Sequence, residues 1–359
     1  MCGDPAAIAW LRRTPVQPSF VGGVLPKAAA KVGRPALRIR TAMPRSAVAY
    51  AIGGVALFSV VAVAVWFIQP YYTGLITLIG IYALVTIGLN LFMGYAGQVS
   101  LGQAAFVSVG AYASAIVTVK AHLSPWLGLV TGAIASALVA YVLSFIVLRL
   151  RENLLALATL ALGIVINVVF NQWEFVGGSS GINSIPSFAL GGFTFDLRAH
   201  AILSWLLVAL GLAFAGNLVR SNFGRALVAI SAGELGAASL GVDAERLKRQ
   251  TFVLSAVYAG VAGAVYASYQ TYIDPTSFSF LLSVNFVLMS VLGGLRSLWG
   301  AQIGAAVVVA LTQILQTVVP IVIPSARGDF QSFFLGVILI TMLIFLPKGL
   351  VSRFGEARA

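Results

Sequence analysis

The sequence predicts an all-α polytopic membrane protein with about ten membrane-spanning helices, and three observations carry that reading. Apolar residues make up 60% of the 359 residues, with a mean hydropathy of +0.98. Charged residues are only 9%, against about 25% in a typical soluble domain. Charge is also confined to blocks, because residues 46–119, 74 in a row, hold no Lys, Arg, Asp or Glu. That run alone accommodates three crossings of about 20 residues each. A disordered chain would need low hydropathy and dense charge, the reverse of this composition.

In chain order the expected crossings are 47–68, 74–93, 101–119, 126–148, 154–173, 201–219, 251–273, 278–295, 299–322 and 331–347. Each should be α-helical, since backbone polar groups in hydrocarbon must be satisfied within their own segment. Runs of this length also exceed the strands of a membrane barrel. Gln69-Pro70-Tyr71-Tyr72 and Gly94-Tyr95-Ala96-Gly97-Gln98 divide the long first run. The Gly-rich segments before 101 and after 294 are compatible with re-entrant chain, which widens the count to eight to ten. The chain therefore divides into a basic, disordered tail (1–45), a transmembrane domain (46–348) and a short C-terminal tail (349–359). Met43 offers an alternative start just before the first crossing.

Orientation follows from Lys and Arg. The first tail carries eight of them: Arg12, Arg13, Lys27, Lys31, Arg34, Arg38, Arg40 and Arg45. That places it in the cytoplasm. With ten crossings, the remaining cytoplasmic segments hold eleven basic residues and the outer segments only Lys120, Arg198 and Arg327. Both termini are then cytoplasmic, and the net charge of +12 belongs to membrane flanks, not to nucleic-acid binding.

Absences narrow the function. None of the expected spans contains Lys, Arg, Asp, Glu or His, whereas ion-coupled carriers usually need an ionisable relay near the midplane. The lone Cys2 and the distant pair His122 and His200 provide no metal cluster and no Ser–His machinery. None of the five lysines follows a glycine, so there is no Gly-Lys-Ser/Thr phosphate-binding loop. No catalytic residue, metal or cofactor is expected, and any energy for transport must come from another subunit.

The substantial cytoplasmic loop, 220–250, has helical composition. Ser231 is placed to cap a short helix with Glu234 in its first turn, and Gly241 to end that helix in a left-handed turn. Leu235, Ala238, Leu240 and Val242 are more apolar than a free linker needs. The loop either packs on its own bundle or docks into a cytoplasmic partner.

Four stretches in order resemble the permeases of branched-chain amino acid ABC importers, the LivM/LivH type. They are Gly94-Tyr95-Ala96-Gly97-Gln98-Val99-Ser100-Leu101-Gly102-Gln103 with Gly110-Ala111-Tyr112; Gly177-Gly178-Ser179-Ser180-Gly181-Ile182; Phe223-Gly224-Arg225-Ala226 followed by Glu234 to Gly241; and Pro275 to Gly304. The second leans toward the LivM branch. Order and spacing fit over roughly 70–347. Two positions depart from the pattern: Arg296 stands where relatives often have glycine, and Asn285 where many carry an acid.

The resemblance implies one half of a heterodimeric membrane domain, in the inner membrane. It further implies a LivH-like second permease, two cytoplasmic ATPase subunits and an extracytoplasmic binding protein. Its substrates would be branched-chain or related hydrophobic amino acids, with urea or short-chain amides as the alternative and a stand-alone carrier behind that. Glu234, Ala237, Ala238 and Gly241 would form the coupling helix, with Gly224 and Arg225 beside it. The expected path-lining residues are the polar groups within or beside the apolar runs: Gln98, Ser100, Gln103, Asn167, Asn171, Asn285 and Gln302. A weak internal echo joins Gly97–Ala104 to Gly294–Gln302, and paired Gly-broken segments of this kind mark translocation paths in other transporters.

Overall fold

The computed structural model describes residues 47–150, 152–190, 193–322, 336–337 and 349–350. The described residues contain eleven α-helices. The first five are α1 (Ala47–Phe67), α2 (Pro70–Asn90), α3 (Gln103–Ala115), α4 (Pro125–Val147) and α5 (Glu152–Gln172). The others are α6 (Leu197–Arg220), α7 (Asn222–Ala232), α8 (Glu234–Ser239), α9 (Ala244–Gln270), α10 (Phe280–Gly293) and α11 (Leu298–Val322). Wider π-helical turns extend α2 through Leu91–Tyr95 and α3 through Ile116–Lys120. Nine helical segments among the described residues are long and apolar enough to cross a membrane. They coincide with the first nine expected crossings. The tenth, 331–347, falls outside the described residues apart from 336–337, as do both expected tails apart from Gly349 and Leu350.

Local chemistry explains the helix starts. Pro70 and Pro125 occupy first-turn positions, where a missing N–H costs nothing. Asp196 accepts from the Leu197 amide at 2.7 Å and Asp243 from the Arg246 amide at 3.0 Å, as N-capping carboxylates do. Two antiparallel two-residue strands, β1 (Ala189–Leu190) and β2 (Phe193–Thr194), close the loop between α5 and α6.

Helices α2 and α9 form the centre: 72% of each crossing segment is buried, against 17% for α1 and 11% for α5. Around them, α9 packs on α3 and α4, while α2 packs on α6 and α11. Close packing relies on small residues, since apolar lipid gives helices little hydrophobic reason to associate. A Cβ on Gly260 would meet the carbonyl of Gly132 and the hydroxyl of Ser136. Ser136 Oγ in turn donates to Phe106 O at 2.9 Å.

Three helices begin four or more residues earlier than expected, α2 among them at Pro70 and not 74. α9 starts at Ala244, not 251, so Arg246, Lys248 and Arg249 belong to it. α6 starts at Leu197, not 201, which draws His200 into a helix that sequence reading leaves free of ionisable groups. His200 is buried among Phe188, Phe195 and Tyr269, with Nδ1 3.2 Å from Asp196 O.

Candidate functional site

Two Gly-rich breaks lie together at the basic end of the bundle. The first opens at Gly94 in the π-turn of α2 and runs on to α3, and the second joins α10 to α11. Their backbones touch, for a Cβ on Gly94 would overlap the carbonyl of Leu295. Tyr95 Oη donates to Arg296 O at 2.9 Å, and Asn90 Nδ2 to Ser297 O at 3.0 Å. The buried Ser290 hydroxyl also bonds Asn90 Oδ1. Gly349 packs on Gly294, the end from which α11 departs.

The breaks differ in kind despite the sequence echo. Gly294 turns sharply: Ser297 N donates to Gly294 O at 2.9 Å, and Ser297 Oγ then caps α11 by accepting from Gly300 N at 3.0 Å. Gly97, at φ +71°, instead redirects a non-helical stretch, 96–102, back into the protein. This stretch ends deep in the bundle. Gln103 Nε2 reaches Ser255 O at 3.2 Å and Ser255 Oγ at 3.1 Å. Ser255 lies eleven residues beyond the start of α9 at Ala244, about 16 Å along the helix. Thus α3 begins inside the bundle and not at its surface.

Non-helical chain at that depth is tolerable only when protein or a cavity satisfies its polar groups. Hydroxyls from neighbouring helices do so here. Thr159 Oγ1 on α5 accepts from Leu101 N at 3.0 Å, and Ser283 Oγ on α10 accepts from Ala104 N at 3.0 Å. Gln98, Ser100 and Gln103 are all buried, and the Ser100 hydroxyl has no hydrogen-bond partner among the described residues. The site is therefore a neutral, hydroxyl- and amide-lined break shared by α3, α5, α9 and α10.

The other expected path residues sit apart from it. Asn167 Nδ2 donates to Pro275 O at 2.6 Å, toward the opposite end, and Asn171 is exposed one turn further along α5. Asn285 is half-buried on α10. Gln302 is buried and, with its amide turned to donate, bonds Leu298 O and Trp299 O of its own helix. Thr159, Ser255 and Ser283 escape a reading of the sequence because hydroxyls within apolar helices are common, and their partners lie far along the chain. An apolar cleft of about 290 Å³ between α3, α4 and α5, lined by Tyr112, Ile116, Val139 and Phe170 among others, has no charged lining residue. It offers nothing to hold an amino acid's ammonium and carboxylate.

The second part of the site is the corner α7–α8 at the same end. Gly224 is buried where α7 folds back on α6, and a Cβ there would strike Val219 O. Arg225 is exposed and braces the corner through Arg220 O at 3.2 Å and Asn222 Oδ1. Contrary to expectation, Ser231 does not cap the short helix. It lies within α7, where its hydroxyl donates to Val228 O at 2.9 Å, and Gly233 precedes Glu234, the first residue of α8. The expected left-handed end is present: Gly241 has φ +79°, with Val242 N bonded to Ala237 O and Gly241 N to Ala238 O, a Schellman turn.

Helix α8 presents an apolar face to water. Leu235 is 90% exposed, and Leu240, the residue that follows the helix, 80%. Ala238 is exposed, but Ala237 is buried against Ile230 and Ala244, so its small size serves internal packing. Glu234 reaches Lys248 Nζ at 2.6 Å.

At the opposite end, the Gly177–Ile182 motif docks onto the corner after α9. Ile182 and Ile273 exchange backbone hydrogen bonds of 2.9 and 3.1 Å, and a Cβ on Gly181 would strike Ile273 O. Asp274 organises this corner, accepting from Ser277 N at 3.0 Å and from Thr276 Oγ1 at 2.6 Å. Burial pushes its carboxyl upward, but the hydrogen bonds from Ser277 and Thr276 together outweigh that and hold it below the ordinary range.

Residues 71–344 match the family described as the permease component of the branched-chain amino acid transport system. The chain is 30% identical to the high-affinity branched-chain amino acid transport system permease protein LivM of Escherichia coli (strain K12), over 77% of this chain and 68% of that protein. It is 24% identical to LivH of Salmonella typhimurium, over 80% of this chain and 96% of that protein. A probable LivM of Methanocaldococcus jannaschii is 25% identical over 76% and 90% of the two chains. No solved structure matches.

Proposed function

The chain belongs to the family of branched-chain amino acid transport permeases, and on that premise we propose that it forms one half of an ABC importer's membrane domain. It works in the inner membrane with a LivH-like second permease, and both its termini face the cytoplasm. Two cytoplasmic ATPase subunits drive it, and an extracytoplasmic protein delivers branched-chain amino acids. It carries no ATPase or other catalytic site of its own. The observation that carries this reading is the α8 corner, where Leu235 on the helix and Leu240 just after it stand 90% and 80% exposed. Burying such side chains in a partner is favourable by roughly 1.5–3 kcal/mol each.

The path runs past the break at 96–103. Its neutral hydroxyls and amides provide hydrogen bonds without a fixed charge that would trap a zwitterion. Alternating access then changes which end of the bundle opens onto that break. The test is leucine uptake into proteoliposomes holding both permeases and the ATPase subunits, with binding protein outside. Uptake should require ATP on the face that carries α8. Leu235→Asp with Leu240→Asp should release the ATPases and leave the bundle folded. Uphill uptake by this chain alone, driven by a sodium or proton gradient, would overturn the reading.

A further inference from the structure

We infer that Arg296 is a positioning residue linking the coupling corner to the two breaks at the cytoplasmic mouth; this rests on the reading of α8 as the ATPase dock. Three elements converge on its side chain. Arg296 itself lies in the second break, between α10 and α11. Its Nε donates to Gly94 O, in the first break, at 3.2 Å. Its Nη2 donates to Ser231 Oγ, in the last turn of α7, at 3.1 Å.

Ser231 also abuts the first break directly, since a Cβ on Gly97 would stand 3.1 Å from Ser231 Cβ. Two residues separate Ser231 from Glu234, where α8 begins. Movement of α8 therefore reaches the first break by this direct contact, and one guanidinium ties Ser231 to both breaks by hydrogen bonds. A planar guanidinium with several fixed donors can hold two acceptors at once, which a lysine ammonium on a flexible stem does less well. Both acceptors are uncharged, and Arg296 is exposed and forms no ion pair with a described carboxylate. Such bonds are weak enough to break and re-form within a transport cycle. A buried ion pair in the same place would lock one state.

The consequence is coupling and not binding. Without the Arg296 side chain, α8 can follow the ATPases while the mouth follows α8 less closely, held only by the contact of Ser231 with Gly97. The test uses the assembled importer in proteoliposomes, with ATP hydrolysis and leucine uptake measured together. Arg296→Gln should raise the ATP hydrolysed per leucine at least threefold, with the ATPases still co-purifying and the melting temperature unchanged. Arg296→Lys should recover part of the coupling. Ser231→Ala, which removes the acceptor and the hydroxyl's local bond to Val228 O but leaves the guanidinium in place, should shift the ratio in the same direction. Combining it with Arg296→Gln should add little, as expected for two ends of one contact. If Arg296→Gln does not assemble, Ser231→Ala carries the test by itself. A wild-type coupling ratio in folded, ATPase-bound Arg296→Gln, or in Ser231→Ala, would overturn the inference. Failure of the wild-type chain to bind ATPases would instead refute the reading of α8, and the inference with it.

Discussion

Lys248 and Glu234 meet at 2.6 Å across the join between α9 and α8, with the lysine side chain 10% exposed and the glutamate 56%. The pair fixes a six-residue helix to one of the two most buried helices of the bundle. Six residues are too few to hold a helix by propagation alone, so α8 needs such external ties. The Schellman turn at Gly241 and the burial of Ala237 supply the others.

Opening that pair should loosen α8 without unfolding the membrane bundle. Glu234→Gln leaves a largely buried ammonium without its counter-charge. The cost should be about 1–2 kcal/mol, above an exposed pair and below a fully buried one. Hydrogen exchange over 234–241 should accelerate, and ATPase co-purification should weaken. Exchange in α2 and α9 should stay as in the wild type.

Glycines at this end divide by what surrounds them. Gly94→Ala would drive a methyl into the backbone of Leu295, which cannot step aside without separating the two breaks. A loss of several kcal/mol or failure to assemble is expected. Gly236, within α8, has open space around its Cα, and nothing lies within 4 Å of where an added methyl would stand. Gly236→Ala should therefore stabilise α8 by about 1 kcal/mol through helix propensity. Thermal melting and exchange protection of the two variants should move in opposite directions.

The nine described crossings were legible because hydropathy and charge blocks are local properties. The inner start of α3 was not. Its support comes from Thr159, 58 residues from Leu101, and from Ser283, 179 residues from Ala104. Nothing near Leu101 or Ala104 signals those hydroxyls. The same limit hid the link from Arg296 to Ser231, 65 residues apart. In the loop 220–250, local rules found the turn at Gly241 but misassigned Ser231, because α7 continues through it to Ala232. Of the polar residues chosen within or beside the apolar runs, Gln98, Ser100 and Gln103 fall in or at the end of one break because they are close in sequence. Asn167, Asn171 and Gln302 shared only the property of being polar in apolar runs.

Acid should weaken the corner at Asp274. Its folded-state pKa lies below the ordinary 3.8. Its hydrogen bonds therefore contribute fully above that ordinary value and are lost as pH falls through the lowered one. Protection of the 276–278 amides, corrected for intrinsic exchange, should hold constant from pH 7 down to about 4 and then fall. Asp274→Asn should remove that acid step, because an amide does not titrate in this range.

The path is tested best where a side chain touches the break without building its backbone. Thr159→Val and Ser283→Ala each strip the acceptor from an amide, the part-buried one of Leu101 and the buried one of Ala104. An unsatisfied buried N–H costs about 1–3 kcal/mol, so these variants should lose stability as well as transport. Ser100 is different. Its hydroxyl is buried and free of partners among the described residues, so Ser100→Ala removes no hydrogen bond from the resting protein. Stability should hold or rise slightly, since a solitary buried hydroxyl is itself unfavourable. If the hydroxyl serves the moving substrate, leucine uptake should fall several-fold while melting temperature and ATPase binding stay unchanged. Gln103→Ala should fall between these cases, losing two bonds to Ser255 together with transport. Wild-type uptake in Ser100→Ala would return that residue to packing. Wild-type uptake in both would move the path away from the start of α3.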